Sequence, residues 1–462
     1  MKSFDVLVIG GGPAAITLAK NLGKEMNMAL IRPEDHSMIY CAMPYAIEGL
    51  LESDKTLKSD KIVTDAGAEL IRETVIGVNF EEKRVSCAGG QEFGWQRLVI
   101  ATGAEPILPP IPGHELDGVT VFKSQKDMER IAAMVERGVR DAVVVGAGAI
   151  GVELAQALAA KDINTHLVDM VDAVLPNLAD ADMTAAAADE LESAGIRLHL
   201  GRKVAGLAAA GGSENVATHA AGPDSSAVSA VDLEGGEKLP AQLVVFAVGM
   251  KPNVDLFENS GLEMLRDGIV VDGAMRTNIE DVYAAGDCVS YYSGITGERA
   301  GGKLATNAVP MARVLADTLR GRPREYEGFF NGSATKAGEL FVGGTGLKEA
   351  EARAGEGFSS LLILPDDQIL YSSLTVPTDD PELTAYRIEE GLDGMTPYAV
   401  SELVYDWRAI EPDRVKLAVV ARETLDEARS FAETHGFKPA GFAAMPPQER
   451  FPGVPLFDLS GD

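Results

Sequence analysis

The chain has 462 residues, which at roughly 150 per domain allows about three domains. Hydrophobic residues make up 46%, ordinary for a folded α/β protein, and no apolar run nears the roughly 18 residues of a membrane-spanning helix. Acidic residues outnumber basic ones 70 to 41, a net charge of −29 that repels a phosphate backbone and excludes nucleic acid as an expected partner. Three cysteines are too few for a disulfide framework, and Met1-Lys2-Ser3 runs straight into a strand with no leader pattern. Both features point to a cytoplasmic protein without membrane attachment.

The first thirty residues read strand, glycine turn, helix, strand. Val6-Leu7-Val8-Ile9 is a continuous aliphatic run, as in a strand buried on both faces. Gly10-Gly11-Gly12-Pro13-Ala14-Ala15 follows and opens an Ala/Leu-rich helix ending near Gly23; Met28 to Ile31 is the next strand. Gly10 serves the tight turn, Gly12 lets backbone approach a pyrophosphate, and Ala15 allows close helix–strand packing. Unpaired N–H groups at the helix start then face the phosphates. One such turn is weak evidence, and a Gly-rich turn without ligand reads the same way.

The pattern returns about 136 residues later, as two copies of one motif must if the chain holds two dinucleotides. Strand Val143-Val144-Val145 leads into Gly146-Ala147-Gly148-Ala149-Ile150-Gly151 and a helix over Val152 to Ala160. The next strand, Thr165 to Val168, ends at Asp169, where a carboxylate can accept from a ribose diol. No Arg follows in Met170 to Ala173 to meet a 2′-phosphate, so NADH is expected over NADPH. Three further strand-and-turn signals occur: Leu98 to Pro106 with Ala101-Thr102-Gly103, Val244 to Gly249, and Val282 to Asp287 ending Gly286-Asp287. Residues 205–238 are rich in Ala, Gly and Ser and read as a hairpin with a loop at Gly211-Gly212 and Gly222-Pro223.

These motifs, in this order, resemble the pyridine nucleotide-disulfide oxidoreductase family over about residues 1 to 355. The resemblance implies an α/β fold of two Rossmann-like domains plus an α+β C-terminal dimerisation domain. The FAD domain would comprise 1–112 and 245–325, the NAD domain 113–244, and the dimerisation domain 326–462, atypical after about 355. FAD is expected to lie against Gly10, Gly12, Pro13, Ala14, Ala15, Ala101, Thr102, Gly103, Gly286 and Asp287, with Ala305 and Thr306 opening a helix toward the flavin. Glu34 stands for the ribose carboxylate, although Arg32 is nearest the usual place. NAD is expected at Gly146, Gly148, Ala149, Ile150, Gly151, Asp169 and Gly249, with Glu153 near the flavin–nicotinamide contact. No metal is expected.

The cysteines choose the branch. No C-x4-C pair is present, and His435 lacks the following Pro of a catalytic His-Pro base, which disfavours dithiol chemistry of the glutathione reductase type. Ser37-Met38-Ile39-Tyr40-Cys41-Ala42-Met43-Pro44-Tyr45 resembles the single-cysteine branch of CoA-disulfide reductases, CoA-persulfide reductases and NADH oxidases and peroxidases. Cys41, supported by Ser37 and Tyr45, is the expected redox thiol, with a helix over Pro44 to Leu51 stabilising its thiolate. Cys87 and Cys288 read as packing residues. Pro13 replaces the His that peroxidases carry in the glycine turn. The expected activity is FAD-dependent NADH oxidation coupled to cleavage of a small disulfide or persulfide, of CoA type, by a homodimer. Two alternatives stay open: an NADH oxidase cycling Cys41 through sulfenic acid, and an electron-transfer reductase for a rubredoxin- or ferredoxin-like protein. The tail fits the family poorly, and Tyr371, Tyr386, Tyr398 and Tyr405 are proton donors without a motif to rank them.

Overall fold

Strand Lys2–Ile9 lies at the centre of a sheet because Val6, Leu7 and Val8 are apolar toward both faces and wholly buried. Helix Pro13–Leu22 starts with Pro, whose missing N–H would be unpaired there anyway. It buries Ala14, Ala15, Leu18, Ala19 and Leu22 against that sheet, each Leu contributing roughly 1.5–3 kcal/mol. The computed structural model describes residues 1–210, 227–344, 360–377, 381–434, 439–444, 446 and 450–457. The chain divides into two compact units, Met1–Gly346 and Leu347–Asp462.

In the first unit one sheet runs Glu69–Arg72, Met28–Arg32, Lys2–Ile9, Glu92–Ile100 and then Val282–Ala284, all parallel. The late strand returns to pair Ala284 with Ile100, so residues from both ends of the unit build one layer. Antiparallel strands Arg84–Cys87 and Val75–Asn79 extend it. Helix Ala305–Leu319 packs with the first helix over a shared core that includes Leu18, Leu22, Met311 and Leu315.

A second sheet is wholly parallel in the order Val119–Val121, Leu243–Phe246, Asp141–Val145, Asn164–Val168, Arg197–His199. Alternate residues of its strands enter two cores. Val144 and Val245 join the helices, whereas Val143 and Phe246 face the antiparallel ribbon Val204–Ala209, Val228–Leu233, Lys238–Pro240. That ribbon is the expected hairpin; its Gly211-Gly212 and Gly222-Pro223 breakers lie outside the described residues.

Hairpin Ser333–Ala337 with Leu340–Gly344 belongs to the first unit. Gln156 donates to the Lys336 carbonyl (2.8 Å) and accepts from the Gly338 N–H (2.7 Å), while Glu190 accepts from the Glu339 N–H (3.0 Å). These bonds join residues about 150 to 180 apart, which no local pattern reports.

The second unit is α+β by itself. Leu370–Thr375, Arg414–Ala421 and Leu403–Glu411 form an antiparallel sheet. Ser360–Ile363, Pro439–Ala443 and Leu456–Phe457 form another, with helices Pro381–Leu392 and Arg422–Thr434. The strand and helix expected over Val415 to Val420 and Leu425 to Thr434 are both present. No helix among the described residues is long and apolar enough to cross a membrane.

Candidate active site

The four central strands of the first sheet end together, so Gly10, Arg32, Ala101 and Gly286 emerge at one edge, where open α/β sheets take ligands. The Gly10 N–H donates to the Ile31 carbonyl (2.9 Å), and the Ala101 N–H donates to the Ile9 carbonyl (2.8 Å). Gly10 has φ +125°, and a Cβ there would lie 2.0 Å from the Ala101 oxygen, so only Gly fits. Gly12 caps the helix without a side-chain acceptor, no acid stands in the first turn, and a Cβ on Gly12 would meet only open space. The result is an uncovered helix N-terminus with room above it, suited to a diphosphate.

Arg32, not Glu34, stands inside this edge. It is 3% exposed and donates to the Ser37 hydroxyl and to Asp60, each at 2.5 Å. Asp60 also pairs with Arg72. The Arg32 Nε is buried without a hydrogen-bond partner among the described residues, and its Nη1 reaches the Gly11 carbonyl at 3.4 Å. A buried guanidinium against the glycine turn suits an anionic ligand. Glu34 is exposed on the following loop. Ser37 accepts from Arg32 and donates to the Gly11 carbonyl (3.3 Å), which braces the turn.

Asp287 follows the late strand at this edge. Burial pushes its carboxyl above the usual range, against the pull of Lys123 and Lys303. The Lys123 Nζ lies 4.0 Å from the Asp287 Oδ2, donates to the Ala104 carbonyl (2.7 Å), and sits over the Tyr40 ring at 5.2 Å. Burial depresses the Lys123 ammonium, with Asp287 opposing. Ala101-Thr102-Gly103 is fixed by the Thr102 hydroxyl on the Asn253 carbonyl (2.6 Å) and the Asn253 N–H on the Gly103 carbonyl (2.9 Å). Ala305 and Thr306 open their helix exposed, with no cap and no acid in its first turn.

The second glycine turn repeats the geometry. Gly146 has φ +111° and would place a Cβ 2.4 Å from the Ala247 oxygen, while a Cβ on Gly151 would lie 1.8 Å from the Gly146 oxygen. Gly148 caps helix Ala149–Ala159 without a side-chain acceptor and has open space beside it. Ala149 and Ile150 form the first turn of that helix, and Gly249 leaves the neighbouring strand with φ +105°. Asp169 ends its strand as expected, and its carboxylate accepts from the N–H groups of Ala147 (2.6 Å) and Val171 (2.9 Å). Glu153 accepts from the Thr335 hydroxyl at 2.7 Å, and burial raises its carboxyl.

Cys41 is exposed, whereas Cys87 and Cys288 are buried. Burial pushes the Cys87 thiol up and the Cys288 thiol up to about 11. Cys41 lies in a 3-10 turn, Tyr40–Ala42, that precedes helix Met43–Glu48. The helix expected over Pro44 to Leu51 is thus shorter, stopped by Gly49 at φ +86°, and Cys41 sits before it instead of at its first residue. Met43 and Ile47 bury themselves in the core that holds Val152 and Ala155 of the second glycine-turn helix. The thiol segment is therefore anchored on the helix of the second glycine turn, and Tyr45 is exposed beside it.

Two uncapped helix starts behind glycine turns, together with one exposed thiol, are features of a two-nucleotide oxidoreductase. The chain belongs to the pyridine nucleotide-disulphide oxidoreductase family, which matches residues 4–312; the family uses FAD and NAD(P)H. It is 32% identical over 359 residues to an NADH oxidase of Methanocaldococcus jannaschii, covering 74% of this chain and 75% of that one. It is 30% identical over 357 residues to an NAD(P)H coenzyme A polysulfide/persulfide reductase of Pyrococcus horikoshii, covering 75% and 76%. Its fold matches that of an NAD-dependent persulfide reductase from A. fulgidus with a TM-score of 0.70 at 24% identity, over 94% of this chain and 77% of that one.

Sequence reading missed Lys123, which stands between a strand and a helix cap with no motif around it. It passed over the fixing roles of Asp60 and Thr335, which lie 28 and 182 residues from what they hold. Among the tail tyrosines, Tyr371 donates to Asp366 (2.8 Å) and Tyr405 to Glu389 (3.4 Å). Burial raises both phenols, Tyr405 to about 12. Tyr386 and Tyr398 are exposed. His435 lies outside the described residues, and no cluster of metal-ligating side chains occurs among the described ones.

Proposed function

We propose that this chain is an FAD-dependent NAD(P)H oxidoreductase that reduces a low-molecular-weight disulfide or persulfide, of CoA type, through Cys41. The observation that carries this reading is the anchoring of one exposed cysteine beside the Asp287 groove, by Lys123 over Tyr40, while both other thiols are buried. The first groove fits FAD: Gly10, Gly12 and the uncovered helix start would receive its diphosphate, Arg32 would add charge, and Asp287 would face its ribityl chain. A flavin bound there supplies the two-electron relay between reduced nicotinamide and sulfur. Gly146, Gly148 and Gly151 would hold the donor, with Asp169 on its ribose and NADH the preferred form.

Cys41 acts as a thiolate that attacks one sulfur of the acceptor, forming a mixed disulfide and expelling one thiolate. Two electrons from NADH then cleave that bond, restoring the Cys41 thiolate and freeing the second thiol with a proton. The reading includes a homodimer in the cytoplasm. A second reading, NADH oxidation with Cys41 cycling through sulfenic acid, draws support from the Methanocaldococcus relative's name. Pro13 in the first turn, which cannot carry a proton, weighs against it.

Anaerobic NADH consumption with CoA disulfide, compared between the wild type and Cys41→Ser with flavin retained, tests the proposal. Turnover lost in the variant supports it. Equal turnover by both forms, or none by either, would overturn it.

A further inference from the structure

We infer that Arg202, with Lys203 beside it, is a specificity-determining residue for the nicotinamide donor, giving a ribose 2′-phosphate a cationic partner so that the chain takes NADPH as well as NADH. The inference rests on the reading of the second glycine turn as the donor site.

The juxtaposition comes from strand register. Val168 lies opposite His199 in the parallel sheet, so the two chains leave the sheet side by side. The Asp169 N–H donates to the His199 carbonyl (3.2 Å), the Gly201 N–H to the Val171 carbonyl (3.0 Å), and the Arg202 N–H to the Asp169 carbonyl (2.8 Å). Arg202 is thus one backbone hydrogen bond from the residue that marks the ribose. A cavity of about 680 Å³ opens at this edge, lined by Met170, Gly201, Arg202, Lys203, Glu234 and Gly235. That volume lies within the range of small-ligand sites.

The charges favour tolerance of a phosphate over selection for one. Both Asp169 oxygens accept backbone N–H groups, which offsets part of the repulsion it exerts on a neighbouring anion. Arg202 pairs with Glu237 (2.8 Å) and Lys203 with Glu234 (2.7 Å), and all four side chains are at least 40% exposed. Exposed pairs of this kind contribute little, so either cation can turn to a phosphate at small cost. The Arg202 Nε is enclosed and has no hydrogen-bond partner among the described residues, so its guanidinium is incompletely matched as it stands. The two glutamates remain as competing anions, which keeps the site open to the plain ribose.

Isothermal titration of the flavin-loaded protein with ADP-ribose and with 2′-phospho-ADP-ribose, which differ only by the 2′-phosphate, reads that group's contribution without turnover. The wild type is expected to bind the two within about tenfold of each other. Arg202→Ala should lose about tenfold or more toward the 2′-phosphorylated form, the value of one charge-assisted contact, and keep its ADP-ribose affinity. Arg202→Lys should fall between. ADP-ribose affinity doubles as the check that each variant is folded. An affinity for the 2′-phosphorylated form unchanged in Arg202→Ala, an equal loss for both nucleotides, or wild-type rejection of the 2′-phosphorylated form would overturn the inference. Failure of the wild type to bind ADP-ribose would instead overturn the donor-site reading beneath it.

Discussion

Replacing Gly151 with Ala separates the two uses of glycine in the second turn. Taken alone, the change favours a helix, because Ala exceeds Gly by about 1 kcal/mol in a helix interior. The structure opposes that gain: the new Cβ would lie 1.8 Å from the Gly146 oxygen, and real Cβ contacts essentially never fall under 3.0 Å. The helix must therefore retreat by at least the difference, about 1.2 Å, carrying its N-terminus away from the phosphates. Overpacking costs about 1–3 kcal/mol, so net stability should change by no more than about 2 kcal/mol. A misplacement of about 1 Å can cost on the order of a hundredfold in a positioned reaction. The half-saturating NADH concentration for flavin reduction in rapid mixing should rise by about ten- to a hundredfold, with flavin content unchanged. Gly148→Ala is the companion, since its Cβ meets nothing within 4 Å in the protein: stability should hold while NADH binding weakens, because the added methyl occupies the space left for phosphate. Unaltered flavin reduction in Gly151→Ala would refute the reasoning from close packing.

Three further outcomes are expected. Native protein treated with a chromogenic disulfide reagent at neutral pH should label one thiol rapidly, and Cys41→Ser none, because Cys87 and Cys288 are buried and Cys288 holds its proton to about 11; fast labelling of two or more thiols would contradict this. His166 is 4% exposed and hydrogen-bonded to His199 at 2.8 Å, and burial pushes it down to about 4 from 6.5, with His199 and Arg197 adding to the effect. The unfolded chain binds that proton first, so stability should be lost as pH falls from about 6.5 toward 4, by at most about 3 kcal/mol. Urea titrations of wild type and His166→Gln should show a steeper acid slope in the wild type, and parallel slopes would count against it. Arg32→Ala leaves Asp60 half-buried with only Arg72, so it should cost about 3 kcal/mol and lower the flavin-to-protein ratio after gel filtration; a variant with full flavin and unchanged melting would remove Arg32 from the site.

Much of the fold was legible because each dinucleotide turn is a local device. Gly10 and Gly146 need positive φ, the aliphatic runs before them need burial on both faces, and the helices after them start without caps. All of that is encoded within about twenty consecutive residues. Cys41 was singled out through the resemblance of Ser37 to Tyr45 to the single-cysteine branch, whereas its exposure and its place ahead of the helix came from the structure. What the chain order conceals is which ends of strands become neighbours. Register alone sets Arg202 beside Asp169, a neighbour that the run Met170 to Ala173 does not contain. Lys123 joins Tyr40 to Asp287, Asp60 clamps Arg32, and Thr335 holds Glu153 by the same kind of long-range approach. Backbone conformation is decided by neighbours along the chain, whereas the electrostatic surroundings of a site are decided by neighbours in space.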